Sequence, residues 1–134
     1  MSKKYYLGID QGTTGTTAII FDENWKICSK GYTEHTQYYP QPGWVEHDPI
    51  EIWDKIKESV SIALHDAGLK ADELRVIGLD NQGETCMVWD KNSGKPIYNA
   101  IVWQDRRTAK QSDELKEAYG DLITEKTGTQ VDAY

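Results

Sequence analysis

Tyr5-Tyr6-Leu7-Gly8-Ile9-Asp10-Gln11-Gly12-Thr13-Thr14-Gly15-Thr16-Thr17 decides how this chain of 134 residues is read. An apolar run ends in one carboxylate, a turn dense in glycine and threonine follows, and a second apolar run, Ala18-Ile19-Ile20-Phe21, comes next. Glycine lets a backbone bend tightly and approach a ligand closely. Successive N–H groups of such a turn form a concavity suited to an anion. Thr13 and Thr14 add hydroxyl donors. Asp10 offers a hard oxygen of the kind Mg²⁺ prefers, often through its waters. Asp10, Gly12, Thr13, Thr14 and Gly15 are therefore expected to receive a metal-bound polyphosphate, with Asp10 on the metal side. The turn is not a Walker A loop, because no Gly-Lys-Ser/Thr follows and the next element reads as a strand. A lone Gly-Thr pair would read as a polar hairpin turn; the whole string favours phosphate.

Outward from this turn, residues 5–10 and 16–22 read as two strands, and 25–37 as a third of mixed alternation. Short connections predict an antiparallel meander. A helix then opens with Asp48 as N-cap, Pro49 in the first turn and Glu51 three residues after the cap. Its apolar stripe of Trp53, Ile56, Val60, Ala63, Leu64 and Ala67 reads as core, and Gly68 as its stop. Leu74–Leu79 predicts a strand inside the sheet. The strand–helix–strand order requires a crossover, which makes this strand parallel to a neighbour. Residues 85–90 and 95–98 read as a small hairpin. A second helix is expected over 105–119, capped by Asp105 and stopped at Gly120, with a short one near 121–127.

Composition narrows the class. The length suits one domain with a real core. A net charge of −7, without a block of Lys or Arg, argues against nucleic acid or an anionic membrane as partner. No signal-peptide core is visible and no apolar run approaches a membrane span, so a cytoplasmic protein is expected. Cys28 and Cys86 lie far apart in predicted strands and read as buried free thiols. His35, His47 and His65 share no ligand spacing and read as surface or loop residues.

The order βββαβ, with a phosphate-type turn between the first two strands, resembles the ribonuclease H-like half-domain of the actin-like ATPase superfamily, an α/β fold. The sequence further resembles the N-terminal part of the FGGY carbohydrate kinases, and most closely the branch acting on glycerol. The residues that carry this are GIDQGTTGT at 8–16, QPGWVEHDP at 41–49, Asn81-Gln82-Gly83-Glu84-Thr85, and VWDKNSGKPIYNAIVWQDRRT at 88–108. The likeness runs from residue 5 to about 134.

The resemblance implies ATP and Mg²⁺ as cofactors and a small polyol as acceptor, glycerol first, with a pentulose or tetritol as the alternative. A non-kinase ATPase of the superfamily and a polyol-binding module without catalysis are the more distant alternatives. It further implies that residues 1–134 are the N-terminal portion of the first of two kinase domains, inactive alone, with the general-base aspartate downstream. Glu84, Trp103 and Tyr134 stand where that branch contacts its polyol, beside Gly83. By residue type alone, Trp103 reads as a core tryptophan and Tyr134 as a loose terminus. Two positions depart from the branch, which usually carries arginine where this chain has Gly83 and often where it has Thr17. Uncovered sheet edges leave a homo-oligomer as a further expectation.

Overall fold

In the computed structural model, which describes residues 4–133, β1 (Tyr5–Gln11) is bonded along both edges. It runs antiparallel to β2 (Gly15–Phe21), with Leu7 opposite Ile20 and Asp10 opposite Thr17. Its other edge runs parallel to β5 (Leu74–Asn81), with Gly8 opposite Gly78 and Asp10 opposite Asp80. β3 (Ile27–Glu34) lies beyond β2, so the sheet order is β3-β2-β1-β5. The meander and the parallel fourth strand match expectation.

Alternation along the strands sends Leu7, Ala18 and Ile20 to one face, where they are buried with Ala63 and Leu74. Helix α1 (Pro49–Ala67) covers that face, and Val60 and Leu64 pack against the cluster. Each fully buried Leu or Ile contributes about 1.5–3 kcal/mol. The helix ends are as its sequence dictates. The Asp48 carboxylate accepts from the Ile50 and Glu51 N–H groups at 2.8 and 3.4 Å, and Gly68 turns left-handed at φ 64°.

Where α1 meets β3 the contact is polar and close. Ser29 Oγ donates to the Ala63 carbonyl at 2.6 Å and Thr33 Oγ1 to the Lys55 carbonyl at 2.9 Å. Between them, a Cβ on Gly31 would overlap the Ser59 carbonyl. The buried positions of α1 are accordingly the small Ser59 and Ala63, while Trp53 is 58% exposed with the Lys57 ammonium 5.7 Å above its ring. Trp53 is thus not core.

These residues, up to Thr36 together with Asp48–Gly83, form one unit; Gln37–His47 and Glu84 onwards form a second. In the second, β4 (Glu46–His47) pairs antiparallel with β6 (Ala100–Ile101), a two-stranded sheet that no periodicity announced. The expected hairpin is present in short form, with the Asp90 N–H donating to the Lys95 carbonyl at 2.8 Å and the Ile97 N–H to the Val88 carbonyl at 3.0 Å around the Trp89–Pro96 bridge, while Cys86 bridges Ile101. α2 (Ala109–Thr127) is one continuous helix. It runs through Gly120, since a mid-helix glycine costs only about 0.5–1 kcal/mol relative to alanine. Its stop is Gly128 at φ 75°. Asp105 does not cap it; Thr108 holds that place without a side-chain bond.

Further expectations change. The third strand is shorter than 25–37, because Trp25 occupies a turn at φ 61°, stacked on Tyr6 at 4.9 Å. β5 is an edge strand among the described residues, not an interior one, and its Ile77 and Leu79 are 61% and 64% exposed. Cys28 and Cys86 are exposed thiols. His35 and His47 are buried, and only His65 lies at the surface. His47 is accommodated by a bond of its Nε2 to Gln37 Oε1 at 2.6 Å. No helix among the described residues is long and apolar enough to cross a membrane.

Gly31→Ala forces the α1 backbone away from β3, and overpacking of this kind costs about 1–3 kcal/mol. The denaturation midpoint of the variant is expected to fall accordingly, while Gly78→Ala, where nothing lies within 4 Å of a new Cβ, should leave packing undisturbed.

Candidate functional site

The β1–β2 hairpin brings Asp10, Gly12, Thr13, Thr14 and Gly15 together at its bend. The Gly12 N–H donates to the Gly15 carbonyl at 2.9 Å and the His35 N–H to the Thr14 carbonyl at 3.4 Å, so the bend is held from within and from the end of β3. His35 is buried behind it; burial lowers its pKa, against a bond to the Thr13 backbone and the charge of Glu51 that raise it. Gly15 is required by crowding, since a Cβ there would overlap the Thr33 carbonyl. At Gly12 a Cβ would meet the Gly15 carbonyl at 3.4 Å, an ordinary contact. Neither glycine has positive φ. The smallness of Gly12 is thus not demanded by its own chain and leaves the mouth of the turn open.

Thr17, Asp10 and Asp80 lie side by side on three adjacent strands, on the face away from α1. With Gly8, Gly78 and Phe21 they line a hollow of about 420 Å³. The Asp10 side chain is exposed, and among the described residues no hydrogen bond or ion pair holds it. An unspent carboxylate beside a turn with an exposed Thr14 suits a hydrated divalent cation carried on a polyphosphate. These residues therefore fit MgATP.

The residues expected to meet a polyol fall differently. Gly83 closes the first unit; a Cβ there would meet nothing within 4 Å, and its φ is ordinary. Glu84 and Trp103 belong to the second unit, both exposed, Trp103 at 42%. They are linked through Thr85, whose Oγ1 accepts from the Trp103 N–H at 3.4 Å. Trp103 is not the core tryptophan its residue type suggests. Tyr134 lies outside the described residues.

A charge cluster that sequence reasoning did not assemble lies at the end of the turn that carries Trp103. The Arg107 guanidinium donates to Asp105 at 2.8 and 2.9 Å and to Glu46 at 2.7 Å, and stands 3.7 Å over the Trp44 ring. Glu46 also accepts from Tyr98 and Asn99, and Asp105 from the Val45 N–H at 2.7 Å. Glu46 and Asp105 are 2% and 1% exposed. Burial alone raises both carboxyl pKa values, but the bonds from Arg107 and the neighbouring donors outweigh it and hold both below the usual carboxylate range. The signal was the repeated charge of Asp105-Arg106-Arg107; its partner, some sixty residues earlier, was not readable.

The chain belongs to the FGGY family of carbohydrate kinases, whose N-terminal domain model matches residues 5–134. It is 55% identical over 132 residues to "Glycerol kinase 2" of Thermotoga maritima, covering 98% of this chain and 27% of that protein. It is 52% identical over 135 residues to a glycerol kinase of Haloquadratum walsbyi, covering 100% of this chain and 26% of that protein. Among solved structures, Plasmodium falciparum glycerol kinase with ADP superposes at a TM-score of 0.86 and 37% identity, covering 99% of this chain and 27% of that one. The chain thus spans about a quarter of the length of these relatives.

Because Glu46 and Asp105 titrate lower folded than unfolded, their contribution is full above the unfolded values and drains away as protons bind on acidification. The melting temperature is expected to drop between about pH 5 and pH 3, and less steeply in Glu46→Gln, as followed by tryptophan fluorescence.

Proposed function

We propose that a protein carrying this chain transfers the γ-phosphoryl group of MgATP to a hydroxyl of a small polyol, glycerol first. The observation that carries this reading is identity above one half, across the whole chain, to relatives named as glycerol kinases, joined to an unpartnered Asp10 beside the Gly-Thr turn. MgATP supplies the phosphoryl group and the charge that activates it. A bond forms between the acceptor oxygen and γ-phosphorus, the bond to the β,γ-bridging oxygen breaks, and the acceptor proton passes to a general base outside residues 1–134.

This chain's residues position and stabilise, which is the main protein contribution in phosphoryl transfer. Asp10 would hold the metal through its waters, and the metal would supply charge to the phosphoryl oxygens. Thr13 and Thr14 donate to phosphoryl oxygens, with Gly12 and Gly15 giving access. Glu84 accepts from acceptor hydroxyls, a charge-assisted bond. Trp103 lays an apolar face against the carbon skeleton, and Tyr134 adds a ring and a hydroxyl.

A full-length enzyme containing this chain is expected to phosphorylate glycerol in preference to tetritols and pentuloses in an acceptor panel. Asp10→Asn should lower kcat by about 10²–10³-fold with little change in the polyol KM. Equal activity of that variant would remove Asp10 from the reaction.

Gly83 favours a second reading, in which the acceptor differs from glycerol. A Cβ at this position meets nothing within 4 Å and the backbone is not left-handed, so a side chain can start there without strain. A charged hydrogen bond is worth about 1.5–3 kcal/mol, so Gly83→Arg should lower the glycerol KM by about one to two decades. An unchanged KM would mean that the pocket is shaped for another alcohol.

A further inference from the structure

The geometry points to Arg107 as the positioning residue that fixes the direction of the Trp103 indole, and so the acceptor affinity. The acceptor half of this inference rests on the polyol reading above.

Trp103 and Gln104 are the two central residues of a turn closed by the Asp105 N–H donating to the Val102 carbonyl at 2.8 Å. Both ends of that turn are buried, Val102 at 1% and Asp105 at 1% exposure, while the indole between them is 42% exposed. The first end is tied by the Val102 N–H to the Val45 carbonyl at 3.1 Å. The second is tied by the Asp105 carboxylate to the Val45 N–H at 2.7 Å. One residue, Val45, therefore anchors both ends.

Arg107 makes this clamp hold. Its guanidinium bridges Asp105 and Glu46, two buried carboxylates that flank the Val45 anchor, and covers the Trp44 ring before it. Take Arg107 away and two like charges remain in a poorly hydrated place, an arrangement that must open to admit water. Opening frees Asp105 from Val45, and the turn that presents Trp103 loses the tie at its second end. A lysine keeps the charge but cannot reach two carboxylates with a rigid planar fork.

The test reads Trp103 directly. In the ¹H–¹⁵N spectrum of the full-length protein, with indole signals assigned through single Trp→Phe variants, Arg107→Lys should move the Trp44 and Trp103 signals. Trp25 and Trp53, in the other unit, should stay in place. In steady-state kinetics the polyol KM should rise about tenfold, with the ATP KM and kcat within about twofold, as expected when an acceptor contact is misaimed. Should Arg107→Lys fail to fold, Asp105→Asn, which removes the charge that Arg107 grips and weakens the tie to Val45, carries the same readouts. An unmoved Trp103 signal in a folded variant overturns the inference, and so does a moved signal with an unchanged polyol KM. A moved Trp103 signal in a protein that phosphorylates no polyol would support the Arg107 assignment and remove the substrate reading instead.

Discussion

β1 is hydrogen-bonded on both sides, antiparallel to β2 and parallel to β5, and this double pairing sets the register of everything in the first unit. Strand side chains alternate, so a slip of one residue would send Asp10 to the buried face and Leu7 to the open one. The burial of Leu7, Ala18 and Ile20 beneath α1 forbids that slip. Core packing on one face thus fixes, through the ladder, the alignment of Thr17, Asp10 and Asp80 on the other. The Gly-Thr turn needs no separate device to aim it, since it is the necessary end of a hairpin whose register is already decided.

That chain of dependence also explains what could be read from residues alone. The turn, the capped ends of α1 and the parallel strand were legible because each rests on local chemistry: Asp48 with Pro49, Gly68, and an apolar run with a crossover. The α1–β3 contact was not, because Ser29, Gly31 and Thr33 form a face that looks polar in sequence and is buried by close backbone approach rather than by apolar bulk. Trp53 misled for the same reason, as helical spacing identifies a stripe but not how near the neighbouring backbone lies. The edge position of β5 was illegible too, since apolar composition reports what a strand can bury and not what lies beside it.

In the second unit the misreadings share another cause. Asp105 stands where a helix cap would stand, and local rules assign it that role. A guanidinium two residues later and a backbone N–H sixty residues earlier compete for the same oxygens, and a charge-assisted pair is stronger than a cap bond to a neutral amide. The helix therefore starts later, at Ala109, and continues through Gly120 to a glycine that is free to turn left-handed. Cys28 and Cys86 were placed inside because their residue type is usually buried, although each sits in an extended segment with an exposed side.

The two sets of candidate residues are therefore held by different forces. The turn around Thr13 and Thr14 is carried by strand pairing and apolar burial, neither of which depends on the ionisation of a side chain. The turn that presents Trp103 has one end on a backbone bond, Val102 N–H to the Val45 carbonyl, and the other on three ionised groups, Glu46, Asp105 and Arg107, whose mutual attraction offsets the cost of burying them. A buried ion cluster contributes little net stability compared with apolar packing of the same volume, so its place at the end of the turn that carries Trp103 accords with the positioning role inferred for Arg107. Its contacts are directional: a planar guanidinium gripping two carboxylates permits few arrangements, whereas packed aliphatic side chains would permit several. That narrowness is what the positioning role inferred for Arg107 draws on.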